Sequence, residues 1–166
     1  MSSTTDRDRV SRLPNPAILV PELGEVGAAL AKATGNGSVP ARTIGLVQLR
    51  VGHLVGSDYL TILHTGNLRK AGDTEDRIAA VAAWRDATCF TEPERAALAL
   101  TDAVFTPNPD GERVSDDLYA QASAHYDDTS LTTLILAIGQ VGFFLPLALI
   151  GDPLPGKPPA EQWRRP

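Results

Sequence analysis

The stretch Arg50-Val-Gly-His-Leu-Val-Gly-Ser-Asp-Tyr-Leu-Thr-Ile-Leu-His64 contains the end of one helix and the start of the next. Apolar side chains recur at helical spacing before Gly56, and glycine is a residue at which helices commonly stop. Ser57 and Asp58 have the chemistry of an N-cap and a first helical turn. The stretch therefore predicts two helices joined at Gly56, with His64 inside the second.

The same capping and periodicity signals predict helices along the rest of the chain. No stretch alternates in the manner of a strand, so the predicted fold class is all-α, with six or seven helices and no tandem repeat. The predicted helices cover about 21–33, 40–55, 57–72, 73–84, 91–104, 115–122 and 128–150. The predicted organisation is a flexible arm at 1–12, one helical domain at 13–155 and a tail at 156–166.

Composition limits the classes of partner. A net charge of -5 argues against a general nucleic-acid surface, because such a surface needs clustered Lys and Arg to neutralise phosphates. Residues 1–12 have no apolar segment of the kind found in secretory signals, so we expect a cytoplasmic location. The apolar run 131–150 is long enough for a membrane span, but it contains Gln140 and Pro146 and has acidic flanks. We expect a buried helix there and no membrane partner.

The stretch at 50–64, together with the segments 68–85 and 90–98, resembles the AhpD-like alkylhydroperoxidase branch of the carboxymuconolactone decarboxylase family. The resemblance covers roughly residues 13–155. It implies an AhpD-like helical fold, an enzyme without a cofactor, and a homo-oligomer, commonly a dimer, trimer or hexamer. In the peroxidase members, two cysteines at the start of the motif helix reduce the hydroperoxide, while a histidine and an upstream glutamate relay protons.

The chain departs from that pattern at its redox residues. Ser57 and Leu60 stand where the two cysteines would be, and no Asp or Glu lies between Glu25 and Asp58. Cys89 is the only cysteine, so neither a dithiol cycle nor a cysteine-built zinc site can form within one chain. Because the thiolate is the nucleophile in this chemistry, the sequence predicts no peroxidase activity.

A second departure lies in the last helix. The branch usually has an Asn-x-Trp-Asn-Arg pattern, whereas this chain has apolar side chains over 142–146. If this helix lines a pocket, the exchange makes that pocket more apolar. The apolar segment therefore favours a hydrophobic small-molecule substrate. Phe143 and Phe144 are predicted either as pocket walls or as core residues.

The candidate catalytic residues are His64, His53, Ser57 and Tyr59. An imidazole both takes and gives a proton near neutral pH, so His64 is either a general acid or base or a packed histidine. On a continuous helix, positions 53, 57 and 64 would share one face and allow a Ser–His hydrogen bond, although a break at Gly56 would separate them. The candidate substrate-binding residues are Asp58, Leu60, Arg50, Phe143 and Phe144.

Two functional hypotheses follow from these residues. The first is a non-redox enzyme without metal or cofactor that acts on an apolar small molecule of specialised metabolism by proton transfer, in decarboxylation, isomerisation or cyclisation. The second is a catalytically silent protein that binds a hydrophobic ligand or a partner protein. The residues leave both hypotheses open, because a fold does not fix a reaction.

Overall fold

The computed structural model describes residues 9–166, and within this range the fold is all-α without a β-strand. The predicted fold class is confirmed. The helices are α1 Pro16–Leu19, α2 Glu22–Thr34, α3 Ala41–Val55, α4 Asp58–Lys70, α5 Glu75–Ala80, α6 Glu92–Phe105, α7 Asp116–Ser123 and α8 Asp128–Gly151. Two short 3-10 turns follow α5 and α8, at Val81–Ala83 and Pro159–Glu161.

Residues 9–166 form eight α-helices, where six or seven were expected. The additional element, α1, is a single turn in which the side chain of Asn15 accepts a hydrogen bond from the N–H of Ala17. The helix predicted for 73–84 is also shorter, since α5 ends at Ala80 and the chain continues as the tighter turn Val81–Ala83. Of the predicted arm, residues 1–8 lie outside the described residues. Arg12, which also belongs to the predicted arm, lies within the described residues and donates its backbone N–H to the carbonyl of Gly151.

The joint between α3 and α4 has the chemistry predicted for it. Gly56 adopts a left-handed conformation with φ of 65°, which an L side chain rarely adopts, and it ends α3. The hydroxyl of Ser57 then accepts a hydrogen bond from the N–H of Leu60 and caps α4. The chain turns between the two helices, so they pack side by side instead of forming one rod.

The close approach of α3 and α4 depends on two glycines of α3. A Cβ atom at Gly45 would lie 2.7 Å from the Leu68 side chain, and one at Gly52 would lie 3.0 Å from the backbone nitrogen of Thr61. The first distance is shorter than real Cβ contacts and the second is tighter than most of them, so a larger residue at either position would require the Leu68 side chain or the α4 backbone to move. This contact sets His64 of α4 beside α3.

The core consists of two apolar clusters on opposite sides of α3. Val47 and Val51 pack towards α8 with residues such as Leu134, while Leu46 and Leu49 pack with Leu68, Val81 and Leu98. Full burial of each such aliphatic side chain contributes roughly 1.5–3 kcal/mol. With α3 held on both sides, the position of its polar residues is well determined.

The apolar helix α8 is buried on one face only, which corrects the expectation of a buried helix. Leu134, Ala137, Ile138 and Val141 face the core. Other apolar side chains of α8 are exposed, namely Ile135, Leu136, Phe143, Leu149 and Ile150. Pro146 lies inside the helix and does not end it.

By length and composition alone, α8 is also long enough to cross a membrane. The expected homo-oligomer stays a prediction.

Candidate functional site

A cavity of about 350 Å³ lies between α1, α2, α3, α4, α8 and the C-terminal segment. Most of its lining is apolar, including Leu60, Phe144 and Leu147. Its polar side chains are Asn15, Gln48, Tyr59, His64, Asn67 and Gln140. No Asp, Glu, Lys or Arg of the described chain is among the lining residues. The cavity is therefore polar at a few points and uncharged, which is typical of a site for a small neutral ligand.

His64 is the central polar group of this cavity. Its side chain is buried, and its Nδ1 has no hydrogen-bond partner in the described part of the chain. Burial lowers the pKa of His64 from 6.5 to about 4, because the charged imidazolium would lose its hydration without gaining a carboxylate partner. At neutral pH the imidazole is therefore uncharged.

The environment of His64 also favours one tautomer. A proton on Nδ1 would be a buried donor without an acceptor, which costs about 1–3 kcal/mol. The tautomer that carries its proton on Nε2 also leaves Nδ1 unpaired, as an acceptor, but it places the donor of the ring on the nitrogen that is not fully buried, where a ligand can accept from it. Since the ring lines the cavity, Nε2 is the nitrogen that remains to face a ligand, and it is available there as a hydrogen-bond donor.

The C-terminal segment forms one wall of the cavity. Trp163 and Pro153 line it, and a Cβ atom on Gly151 would lie 2.8 Å from the Trp163 ring. The Tyr59 hydroxyl donates a hydrogen bond of 2.8 Å to the side-chain oxygen of Gln162. Burial raises the pKa of Tyr59, so its phenol stays neutral. Tyr59 thus ties α4 to the segment that closes the cavity.

Two glutamine side chains meet at the far side of the cavity. Nε2 of Gln48 lies 3.3 Å from the carbonyl oxygen of Ala137 and 3.2 Å from Oε1 of Gln140. The hydroxyl oxygen of Thr34 lies 3.3 Å from the same Gln140 oxygen and 3.0 Å from the carbonyl oxygen of Leu30. The amides of α3 and α8 are held together by these contacts.

Four of the predicted site residues line the cavity: His64, Tyr59, Leu60 and Phe144. Ser57 and Asp58 instead border a neighbouring cavity of about 170 Å³, which also touches Tyr59. The hydroxyl of Ser57 caps α4, the simplest role that its position suggests.

His53 does not line the cavity, so the alignment expected on a continuous helix does not form. The chain turns at Gly56 before α4 begins, and Ser57 has no hydrogen bond with His53 in the described residues. Nδ1 of His53 is buried without a partner. Burial first, and then the charge of Arg50, lower the pKa of His53. The structure provides no Ser–His pair.

Arg50 and Phe143 also lie away from the cavity, in contrast to their predicted role in substrate binding. The guanidinium of Arg50 binds both carboxylate oxygens of Asp102, at 2.6 and 3.3 Å, and also the carbonyl of Ala82. Phe143 is 51% exposed and packs edge-on against Phe144, with ring centroids 5.0 Å apart. Arg50 thus forms an ion pair with Asp102, and of the two phenylalanines only Phe144 lines the cavity.

Several residues that line the cavity were not predicted from the sequence, among them Asn15, Asn67, Gln140 and Trp163. Gln140 had a detectable signal, since an amide in the middle of an apolar helix needs a polar partner or a ligand. Trp163 belongs to the segment predicted as a tail, and nothing local indicated that it would fold back. Within residues 9–166, no three His, Cys, Asp or Glu side chains lie together as a metal site.

The helical fold and the histidine-lined cavity define a small AhpD-like helical protein. The chain belongs to the carboxymuconolactone decarboxylase family, whose sequence model matches residues 21–103. The uncharacterized protein YdfG of Bacillus subtilis (strain 168) is 32% identical over 124 residues, which cover 74% of this chain and 82% of YdfG. A serine and a leucine at positions 57 and 60 leave this member without the two redox cysteines of the AhpD-like peroxidases.

Solved structures have the same fold. The Agrobacterium tumefaciens protein ATU0492, of unknown function and assigned as a candidate antioxidant defence protein AhpD, superposes with a TM-score of 0.78 at 26% identity, covering 89% of this chain and 99% of that one. The debrominase Bmp8 in complex with 2,3,4-tribromopyrrole superposes with a TM-score of 0.72 at 17% identity, covering 84% and 75%. At that identity the likeness to Bmp8 concerns the fold alone.

Proposed function

We propose that this protein is a non-redox enzyme of small-molecule metabolism that binds an uncharged, largely apolar carbonyl compound in the His64 cavity and promotes proton transfer on it. The observation that carries the proposal is the neutral, unpartnered imidazole of His64 in a cavity without charged side chains. The debrominase Bmp8, which has the same fold and forms a complex with 2,3,4-tribromopyrrole, supports the use of this fold to hold a small molecule.

The cavity favours a neutral substrate for an electrostatic reason. A carboxylate bound there would lose its hydration and would find no Lys or Arg among the lining residues. A ketone or an alcohol loses less on entry, and it can accept a hydrogen bond from Nε2 of His64. The uncharged lining therefore favours isomerisation or cyclisation over decarboxylation of a carboxylate.

His64 suits the role of a neutral hydrogen-bond donor better than that of a general base. With a pKa of about 4, its imidazolium is strongly disfavoured at pH 7. The Nε2–H group can instead polarise a substrate carbonyl. When the α C–H bond breaks, its proton passes to solvent water, its electron pair forms the enolate, and the same donor stabilises the enolate oxygen. One such donor is typically worth about 10²–10³ in rate.

The proposal predicts a preference for a neutral over an anionic ligand. The probes are 2-tetralone, a bicyclic ketone, and 2-naphthoate, a carboxylate of similar size, with binding measured by isothermal titration calorimetry at pH 7. We expect 2-tetralone to bind at least about tenfold more tightly, because the carboxylate would be buried without a cation. Equal affinity, or tighter binding of 2-naphthoate, would contradict the proposed substrate class.

Catalysis is tested with the same ketone in D2O. We expect the protein to accelerate deuterium incorporation at the α carbon of 2-tetralone, measured by proton NMR, and His64→Phe to lower the rate about tenfold or more. His64→Gln is the matched control, because its amide keeps an N–H near the position of Nε2 and should retain part of the rate. Binding of 2-tetralone with the same exchange rate as buffer would instead favour the second candidate function, a catalytically silent ligand-binding protein.

Absence of peroxidase activity is a separate expectation. Ser57 caps a helix, Leu60 is buried, and Cys89 is exposed and does not line the cavity. With dithiothreitol as reductant, we expect cumene hydroperoxide to be consumed no faster with the protein than without it. Turnover that disappears in Cys89→Ser would overturn this expectation.

A further inference from the structure

A second cavity, also of about 350 Å³, adjoins the His64 cavity. It lies between α2, α3 and α8, and its own lining includes Ala31, Val39 and Ile44. The two cavities share three lining residues, all of which carry side-chain amides: Gln48, Asn67 and Gln140. A boundary made of amides separates two mainly apolar spaces.

Hydrogen-bond chemistry determines which way the two glutamine amides point. The carbonyl of Ala137 only accepts hydrogen bonds, so the atom of Gln48 that contacts it must be the nitrogen Nε2. That nitrogen also contacts the amide of Gln140, so the Gln140 atom at 3.2 Å must be its oxygen, which the hydroxyl of Thr34 also contacts. The orientations follow from the partners and not from the assignment of atoms alone.

These orientations leave one acceptor and one donor without partners in the described residues. Oε1 of Gln48 and Nε2 of Gln140 make no hydrogen bond there, and neither is among the fully buried unpartnered atoms. Both atoms therefore remain accessible from the cavities that their residues line. A ligand group that donates one hydrogen bond and accepts another would satisfy both atoms, and a secondary amide is such a group.

We propose that the two cavities form one binding site for an elongated ligand with a secondary amide at its middle. Its ring system lies beside His64, its amide N–H donates to Oε1 of Gln48, its amide oxygen accepts from Nε2 of Gln140, and its alkyl chain occupies the second cavity. The inference rests on the proposed function only in placing the head group at His64. It adds the length of the ligand and the polar group that links its two halves.

Three probes test this proposal: N-hexyl-2-(2-naphthyl)acetamide, its N-methyl analogue without the chain, and the hexyl ester, which accepts hydrogen bonds but does not donate one. Binding is measured by isothermal titration calorimetry. We expect the hexyl amide to bind at least about tenfold more tightly than either of the other two, because only it fills both cavities and pairs both amides. Equal affinities for the hexyl and methyl amides would overturn the proposal.

Variants test whether the hexyl chain occupies the second cavity and whether the glutamine amides pair with the ligand amide. Ala31 lines only the second cavity and is exposed on α2, so Ala31→Trp should reduce binding of the hexyl amide to that of the methyl amide without changing the latter. Gln48→Leu should remove the difference between amide and ester, because Oε1 of Gln48 is the acceptor for the N–H that only the amide carries. The control Gln121→Leu, at an exposed position of α7, should leave all three affinities unchanged. An unchanged hexyl-amide affinity in Ala31→Trp would also overturn the proposal.

The outcome separates this inference from the proposed function. If 2-tetralone shows no accelerated exchange but the hexyl amide binds and responds to Ala31→Trp, the extended site stands and the catalytic proposal fails. If 2-tetralone is turned over but chain length has no effect, the enzyme stands and the extended site fails. If none of the amide and ester probes binds, the extended site is overturned.

Discussion

Lowering the pH from 7 to 4 is expected to reduce the free energy of unfolding by roughly 3 kcal/mol through His64 alone. The pKa of His64 is about 4 in the folded protein and 6.5 without burial, and this gap corresponds to roughly 3 kcal/mol. Between these values the unfolded chain binds a proton that the folded protein does not, so stability rises with pH. The contribution is complete above pH 6.5 and is lost as the pH falls towards 4.

Urea unfolding at pH 7, 6, 5 and 4 measures this effect, with His64→Phe as the test variant. The variant should lose most of the pH dependence in this window, although His53, whose pKa is also lowered, adds a smaller change in the same direction. His125→Gln, at an exposed position, is the matched control. A His64→Phe profile parallel to that of the wild type would show that His64 is not buried as a neutral imidazole.

Asp102→Ala is expected to destabilise the protein by about 3–5 kcal/mol, because it leaves a buried guanidinium without its counter-charge. Asp102 is 6% exposed and accepts hydrogen bonds from Arg50, Arg85 and, at 3.2 Å, the indole of Trp84. The side chain of Arg50 is only 13% exposed and has no other carboxylate partner in the described residues. The network joins α3, α6 and the segment after α5, so its loss affects the packing of three elements.

Thermal unfolding should show this loss as a fall in Tm of roughly 10 °C. The control is Glu75→Ala, which breaks the exposed pair between Arg69 and Glu75 and should leave Tm nearly unchanged. The double variant Arg50→Met with Asp102→Leu should recover most of the loss, because it removes both charges together. An Asp102→Ala variant as stable as the wild type would mean that the pair contributes nothing.

The pH dependence of Asp102 separates its contribution from that of His64. Burial acts to raise the pKa of Asp102, but the hydrogen bonds and charges of Arg50 and Arg85 outweigh it and lower this pKa. A carboxylate with a lowered pKa stabilises the folded state above its ordinary pKa of 3.8, and that contribution is lost as the pH falls below it. His64 acts between about 4 and 6.5, so the two windows hardly overlap.

Most of the helices could be predicted from local chemistry. Ser57 caps α4 as its position suggests, Gly56 ends α3, and Thr91 with Glu94 forms a capping box at the start of α6, where a helix was predicted. These signals act within one helical turn, so the order of residues contains them. The main errors in the helices were α1, a single turn too short for periodicity to reveal, and the early end of α5.

Family membership and the absence of the two redox cysteines could also be predicted from the sequence. The cysteine positions of the motif are occupied by Ser57 and Leu60, and Cys89 is the only thiol. His64 was correctly placed on the helix that follows Gly56. The lining of the cavity was predicted only in part, because an amphipathic pattern identifies a buried face without saying which other elements cover it.

The folded structure alone determined which side chains meet at His64. Gln48, Gln140 and Trp163 are far apart in the sequence and reach one cavity because α8 and the C-terminal segment pack against α3 and α4. Packing also keeps two residues of the motif, His53 and Arg50, out of this cavity. The turn at Gly56 leaves His53 off the cavity, and Asp102, 52 residues away, binds Arg50. Helix boundaries depend on capping and backbone sterics among adjacent residues, whereas a cavity depends on long-range burial, which no local pattern encodes.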